Sequence, residues 1–187
     1  MCHLCEERLP EHGRTRRRLI VSGASAGAML LATPLALAAQ PRRALSFYHT
    51  HTAERLRVTY AERGRIRPDA LEQISRFLRD FRNGATHPID PTLLDTLYEM
   101  QQRTGGRGPY EIISAYRSPQ TNEMLRANSG GVAQRSLHME GRAMDVRLQG
   151  VATADLRRVA LDLQAGGVGY YPDADFVHVD TGRVRTW

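Results

Sequence analysis

Two short stretches in the second half of the chain alternate strictly between apolar and polar positions: Ala143-Met-Asp-Val-Arg-Leu148 and Phe176-Val-His-Val-Asp180. Successive side chains of a strand point to opposite faces, so each stretch commits one row to a core and frees the other. Met144, Val146 and Leu148 form the buried row of the first, with Ala143, Asp145 and Arg147 opposite. Val177 and Val179 do the same in the second, leaving His178 and Asp180 on the free face. Such strands need a covering layer, and the sequence before and between them supplies helices. Residues 68–82 carry Leu71, Ile74, Phe77, Leu78 and Phe81 at three-and-four spacing, with Pro68 and Asp69 at the start. A second helix opens at Asp90-Pro91, runs through Leu93, Leu94, Leu97, Tyr98 and Met100, and stops near Gly105-Gly106. Further helices are predicted over 119–127 and over Thr153–Gln164, the latter capped by Thr153 and ended at Gly166-Gly167. Strands are predicted as a pair within 45–60 joined near Thr52–Glu54, at Tyr110–Tyr116 and at Val168–Tyr171. The expected fold class is α+β: a single domain with a mainly antiparallel sheet and packed helices.

The 187 residues leave room for one such domain beyond the N-terminal segment. Arg16-Arg17 precedes an apolar, small-residue run that ends at Ala36-Leu-Ala38. Basic residues, an apolar stretch and a small-residue cleavage site make an export signal over residues 1–38, of the twin-arginine type, with the alternative of an uncleaved anchor. The run is too weakly apolar for a stable membrane span once the signal is removed. The mature domain is then residues 39–187, located in the periplasm. Cys2 and Cys5 are the only cysteines, so the domain has no disulfide; their CxxC lacks the second ligand pair a closed metal site needs. A net charge of +6 suits an anionic partner. The basic residues are arginines spread along the chain, without the cluster and stacking aromatics of a nucleic-acid surface, so no nucleic-acid partner is expected.

His178 from one strand, Asp145 from the other and His138 from the loop before Gly141 can meet at one point if the strands pair. Two imidazoles and a carboxylate form a zinc set that leaves a fourth position for water. By spacing alone, a capping or hydrogen-bonded His138 and a paired Asp145 explain the residues equally well. His49 and His51, an HxH on the predicted hairpin, read as surface strand histidines, and His87 as a loop residue.

Ser136, His138, Gly141, Ala143 and Asp145 spell SxHxxGxAxD, followed by HxD at His178 and Asp180. In that order they resemble the zinc D-Ala-D-Ala metallopeptidase superfamily, whose fold is shared by the Hedgehog signalling domain. Ser114-Ala-Tyr-Arg-Ser118 and Gly166-Gly-Val-Gly-Tyr-Tyr-Pro172 extend the likeness toward the MepK-type (YcbK-like) murein endopeptidases. The resemblance implies that His138, Asp145 and His178 bind Zn2+ and that the substrate is peptidoglycan, whose peptide cross-links the enzyme hydrolyses. It offers Asp175, three residues before the last ligand, as general base. Asp180 competes for that role, or orients a histidine. Arg117 matches an arginine directed at the substrate, where it stabilises an oxyanion or grips a carboxylate. Ser136 either bonds substrate or fixes the His138 loop, and Tyr170 is a candidate to line the cleft. A D,D-carboxypeptidase and a non-catalytic zinc-containing wall-binding module are the alternatives; a monomer is expected.

Overall fold

A computed structural model describes residues 42–128 and 131–187. The expected export signal, with Cys2 and Cys5, lies outside the described residues. Eight strands form one sheet in the order β3-β2-β1-β4-β5-β7-β6-β8. They are β1 Arg43–His49, β2 Arg55–Glu62, β3 Arg65–Ile66, β4 Tyr110–Ser114, β5 Ala143–Leu148, β6 Gly167–Tyr171, β7 Phe176–Asp180 and β8 Arg185–Thr186. Neighbours run antiparallel except β1 with β4 and β6 with β8. The helices are α1 Pro68–Phe77, α2 Pro91–Thr104, α3 Pro119–Asn128 and α4 Thr153–Leu163, with a 3₁₀ turn at Leu137–Glu140. The α+β expectation holds. No helix among the described residues is long and apolar enough to cross a membrane.

The alternation read from β5 and β7 has the predicted consequence. Met144, Val146, Leu148, Val177 and Val179 are all buried in the core with Leu93, Leu94, Leu97 and Met100 of α2 and Leu156 and Val159 of α4. Each such aliphatic side chain contributes roughly 1.5–3 kcal/mol on burial. Tyr110 and Tyr60 reach the same core and satisfy their hydroxyls on the carbonyls of Leu97 and Leu94. One face of the central sheet is thereby closed by helices, and the Asp145–His178 row is left on the other.

Helix ends follow local chemistry. Asp90 caps α2 by accepting from Thr92 N at 2.9 Å, Pro91 occupies the first turn, and Gly105 ends the helix at φ 68°. The helix expected over 68–82 stops at Phe77 instead. Asp80 accounts for this: its carboxylate accepts from Arg82 N, Ser118 N and Ser118 Oγ, which holds the following residues in a turn. The apolar spacing carries on through Leu78 and Phe81, but the backbone no longer does. Thr153 is likewise not the cap of α4. Ala152 takes the capping position, and Thr153 Oγ1 donates to Asp175 at 2.8 Å. The strand expected to run to Tyr116 stops at Ser114, after which the chain turns into the loop that meets His138.

Candidate metal centre

Strand register builds most of the site. Asp145 on β5 pairs with His178 on β7, with Ser114 of β4 on one side and Gly169 of β6 on the other. Directly opposed residues of an antiparallel pair hold their side chains about 5 Å apart. Here the Asp145 Oδ1 to His178 Nδ1 distance is 2.8 Å.

His138 is delivered by the 3₁₀ turn. Its carbonyl accepts from Arg117 N at 3.1 Å, and its Nδ1 donates to the Ala115 carbonyl at 2.7 Å, joining the loop after β4 to the loop before β5. Gly141 ends the turn at φ 66°, and a Cβ there would lie 2.1 Å from the Pro88 carbonyl oxygen. Only glycine satisfies both demands. His138 Nε2 then faces Asp145 Oδ2 at 3.4 Å.

The tautomers follow from the partners. The Ala115 carbonyl accepts only, so the His138 proton sits on Nδ1 and the Nε2 lone pair faces Asp145. On His178, Nε2 meets Asp180 Oδ2 at 2.9 Å. Burial pushes the Asp180 carboxyl up, but bonds from His178, Arg185 and the Gly182 and Gly167 amides hold it far below the ordinary carboxylate range. Asp180 is therefore an acceptor for a proton on His178 Nε2; Nδ1 donates to Asp145 when the ring is charged, and offers it a lone pair only where another cation takes the place of that proton. Asp145 is ionised as well. Its burial acts upward, and the charge and hydrogen bonds of His138 and His178 outweigh it.

Two ring nitrogens and a carboxylate thus converge within 4.8 Å of one another, all three residues buried. Electron-rich atoms packed this way repel unless a cation lies among them. A proton answers in part: burial lowers the His178 pKa, and the two carboxylates raise it above the ordinary histidine value. A divalent metal answers fully, because it accepts all three donors at once. The residues fit a metal of borderline softness with nitrogen and oxygen ligands and tetrahedral preference, with each histidine fixed by a partner behind it.

Asp180 is completely enclosed. Oδ1 accepts from Gly167 N, Gly182 N and Arg185 Nη1 at 3.0, 2.8 and 3.0 Å, and Oδ2 accepts from Arg185 Nη2 at 2.6 Å besides His178. Gly167 and Gly182 have no room for a Cβ beside it. Asp175 sits elsewhere. It takes the left-handed conformation at φ 50° in the turn between β6 and β7, largely exposed, bonded to Thr153 Oγ1 and facing Arg147 Nη1 at 3.4 Å. The structure does not bring it to the cluster.

Arg117 lies beside the cluster. Its Nη1 and Nη2 make only long contacts, 3.4 Å to Asn122 Oδ1 and to Ser114 Oγ, and its buried Nε has no hydrogen-bond partner. Burial pushes its pKa down and the Asp145 charge pushes it up. Ser136 is buried at the start of the 3₁₀ turn, where its carbonyl accepts from Met139 N and its hydroxyl does not cap the turn. Tyr170 packs toward the core with the Arg157 guanidinium 5.2 Å from its ring, so it does not line the cluster's face. Tyr171 and Trp187 do. Trp187 Nε1 donates to Tyr171 Oη at 2.8 Å, and the Trp187 ring lies 5.1 Å from that of His178.

The HxH is a surface feature only at its second residue: His51 is exposed in the turn after β1, whereas His49 ends the strand inside the core. His49 is buried, its Nδ1 accepts from His51 N at 3.2 Å, and it packs edge-on against Phe77 and Phe81. His51 stacks on Phe81 at 4.0 Å. Burial explains the lowered His49 pKa, with the His51 charge adding to it. His87 is a loop residue, stacked on Tyr116.

Sequence reasoning missed the Ala115 carbonyl, Arg185 and Trp187. Backbone acceptors leave no signature in a sequence. Arg185, five residues after Asp180 in a chain returning to the sheet edge, gave the one available hint.

The chain is similar to curated proteins along nearly its whole length. The Peptidoglycan L,D-endopeptidase MepK of Escherichia coli (strain K12) is 43% identical over 175 residues, 92% of this chain and 96% of that protein. The protein of the same name from Shigella flexneri matches with the same identity and coverage. A Probable peptidoglycan L,D-endopeptidase MepK of Haemophilus influenzae is 39% identical over 175 residues, 92% of this chain and 94% of that protein. A family profile described as Peptidoglycan L,D-endopeptidase MepK matches residues 37–187, the span that contains the whole cluster, and the chain belongs to that family.

Proposed function

We propose that this chain is a zinc peptidase that hydrolyses peptide cross-links of peptidoglycan, with His138 Nε2, a carboxylate oxygen of Asp145 and His178 Nδ1 as the metal ligands. The reading rests on one observation above all: a ring nitrogen of each histidine and a carboxylate oxygen of Asp145 lie within 4.8 Å of one another, while an acceptor holds each ring from its other nitrogen. Membership in an endopeptidase family favours internal cross-links over the terminal residue that a D,D-carboxypeptidase would remove, and the complete ligand set disfavours a non-catalytic wall-binding module. The relatives' L,D designation suggests a bond between the carbonyl of an L-configured centre and the amine of a D-configured one. The substrate lies outside the cytoplasm, and the net positive charge, which stays positive once the +2 of residues 1–38 is taken from the chain's +6, suits an anionic wall. We assign residues 1–38 to export through the twin-arginine route and the mature domain to the periplasm.

Held by His138, Asp145 and His178, zinc would supply Lewis acidity, lowering the pKa of a bound water to about 7 and polarising the scissile carbonyl. The chain's own residues do the rest. Asp180 keeps the proton on His178 Nε2 and so keeps Nδ1 available. Arg117, with an unpartnered Nε and long contacts elsewhere, donates to the oxygen that gains charge as the carbonyl is attacked. Asp180 is a poor proton acceptor, because both oxygens are occupied and burial denies it exchange with solvent. Asp175, exposed in the turn before the strand that carries His178, is the acceptor left among the candidate acids, and it must leave Thr153 and Arg147 to reach the cluster. Ser136 holds the start of the His138 loop.

The test is digestion of purified cross-linked muropeptides by residues 39–187, with products separated by chromatography. Wild type should open cross-links and carry about one zinc per chain, and His138→Ala should lose both. Release of a terminal D-Ala alone would favour the carboxypeptidase. A zinc-loaded protein that leaves every muropeptide intact would favour the binding module.

A further inference from the structure

Trp187 is the only tryptophan in the sequence, and it is held beside the cluster from several sides. Its backbone joins β6, donating to the Val168 carbonyl at 3.3 Å and accepting from Tyr170 N at 3.1 Å. Nε1 is tied to Tyr171 Oη. The Arg185 guanidinium lies 4.9 Å from the ring while it pairs with Asp180, the residue that fixes His178. Below the ring is Gly169, the register partner of His178; a Cβ there would come within 2.7–2.9 Å of the indole. Glycine at that position gives the ring its seat.

These contacts anchor the ring without covering it. Trp187 is 49% exposed and Tyr171, stacked on Phe176 at 4.5 Å, is 39% exposed. A large aromatic with fixed geometry and one wet side offers much apolar contact area at little cost in side-chain entropy. Propping His178 would need only the buried part of the ring.

We propose that Trp187, seated on Gly169 and continued by Tyr171, is a substrate-positioning shelf. It receives the aliphatic side-chain methylenes of the stem-peptide residue that flanks the scissile bond on the His178 side. The proposal deepens the peptidoglycan reading and rests on it.

The single tryptophan makes the test direct. Trp187 emission is followed while the intact, zinc-loaded protein is titrated with an uncross-linked muropeptide, which resembles a product. In parallel, steady-state cleavage of a cross-linked muropeptide dimer is measured for wild type, Trp187→Leu, Trp187→Phe and Gly169→Ala. A saturable emission change is expected, together with a KM raised about tenfold in Trp187→Leu, kcat within about threefold, and zinc content unchanged. Trp187→Phe should restore most of the KM, and Gly169→Ala, which displaces the ring, should raise it. An unchanged KM in Trp187→Leu overturns the proposal. So does a parallel loss of zinc and kcat, because the ring would then only support His178. If wild type cleaves nothing, the peptidase reading fails by itself, and the titration still decides: a saturable signal keeps the shelf and a flat one removes it.

Discussion

Replacing Asp180 by Asn separates the two roles its position allows, and the structure sets the expected size of the effect. The carboxylate receives five hydrogen bonds, from the Gly167 and Gly182 amides, both Arg185 terminal nitrogens and His178 Nε2. An amide is least disruptive with its oxygen toward the three donors on Oδ1 and its NH2 toward His178 and Arg185. The NH2 then faces a donor on both sides, the His178 proton and Arg185 Nη2. The clash with His178 is relieved only if that proton moves to Nδ1, the atom that should bind metal. Loss of a partner behind a metal-bound histidine typically weakens metal affinity by about 10–100-fold, or roughly 1.4–2.7 kcal/mol. The charge-assisted bond to Arg185 is lost as well, worth about 1.5–3 kcal/mol of fold stability. Zinc affinity measured by competition with a chromophoric chelator should fall within that 10–100-fold range, with much of the turnover recovered at saturating zinc. Were Asp180 the general base, D180N would bind zinc normally and have little turnover at any zinc concentration. That result would refute the tautomer argument.

Other perturbations follow from the same contacts. Gly141→Ala adds a Cβ against the Pro88 carbonyl at positive φ; it should cost about 2–4 kcal/mol, read as a lower urea midpoint, and a midpoint equal to wild type would contradict the packing. Asp80 has its pKa lowered, because bonds from Thr121, Ser118 and Arg82 overcome its burial. Its contribution to stability is therefore full above the unfolded carboxylate value, near pH 4, and is lost as the pH falls through the lower folded value. Asp80→Asn should be less stable than wild type by about 1–3 kcal/mol at pH 7, and the gap should narrow below about pH 4; a gap constant down to pH 2 contradicts the assignment. Arg117→Met should reduce kcat by about 10²–10³ with zinc content intact, whereas an unchanged kcat would make Arg117 a structural residue. Asp175→Asn should likewise lower kcat with zinc retained, and wild-type turnover would exclude it as the proton acceptor.

The elements were legible in the sequence because each depends on short-range periodicity, whereas spacing left His138, Asp145 and His178 open to two readings and only the family resemblance proposed them as a metal set. Alternation over Ala143–Leu148 and Phe176–Asp180 identified both the buried rows and the face that carries Asp145 and His178. Alternation cannot give strand order, so the parallel pairing of β1 with β4 was not foreseen; it joins Phe47 to Tyr110 across a long stretch of intervening chain. The early end of α1 was invisible because the side chain that ends it, Asp80, is captured by Ser118 from a distant loop. The family pattern named Asp175 and Asp180 as acids without assigning their roles. That distinction depends on enclosure, and the groups enclosing Asp180 come from Gly167, Gly182 and Arg185. Trp187 escaped notice because β8 and the residue after it are too short to show any period.

X-ray absorption at the zinc edge of the zinc-loaded domain probes the coordination sphere itself. Two imidazole nitrogens at about 2.0–2.1 Å with oxygen completing a four-coordinate shell is the predicted spectrum. A shell with no imidazole scattering, or with a single imidazole, would contradict the convergence of His138 and His178 on one ion.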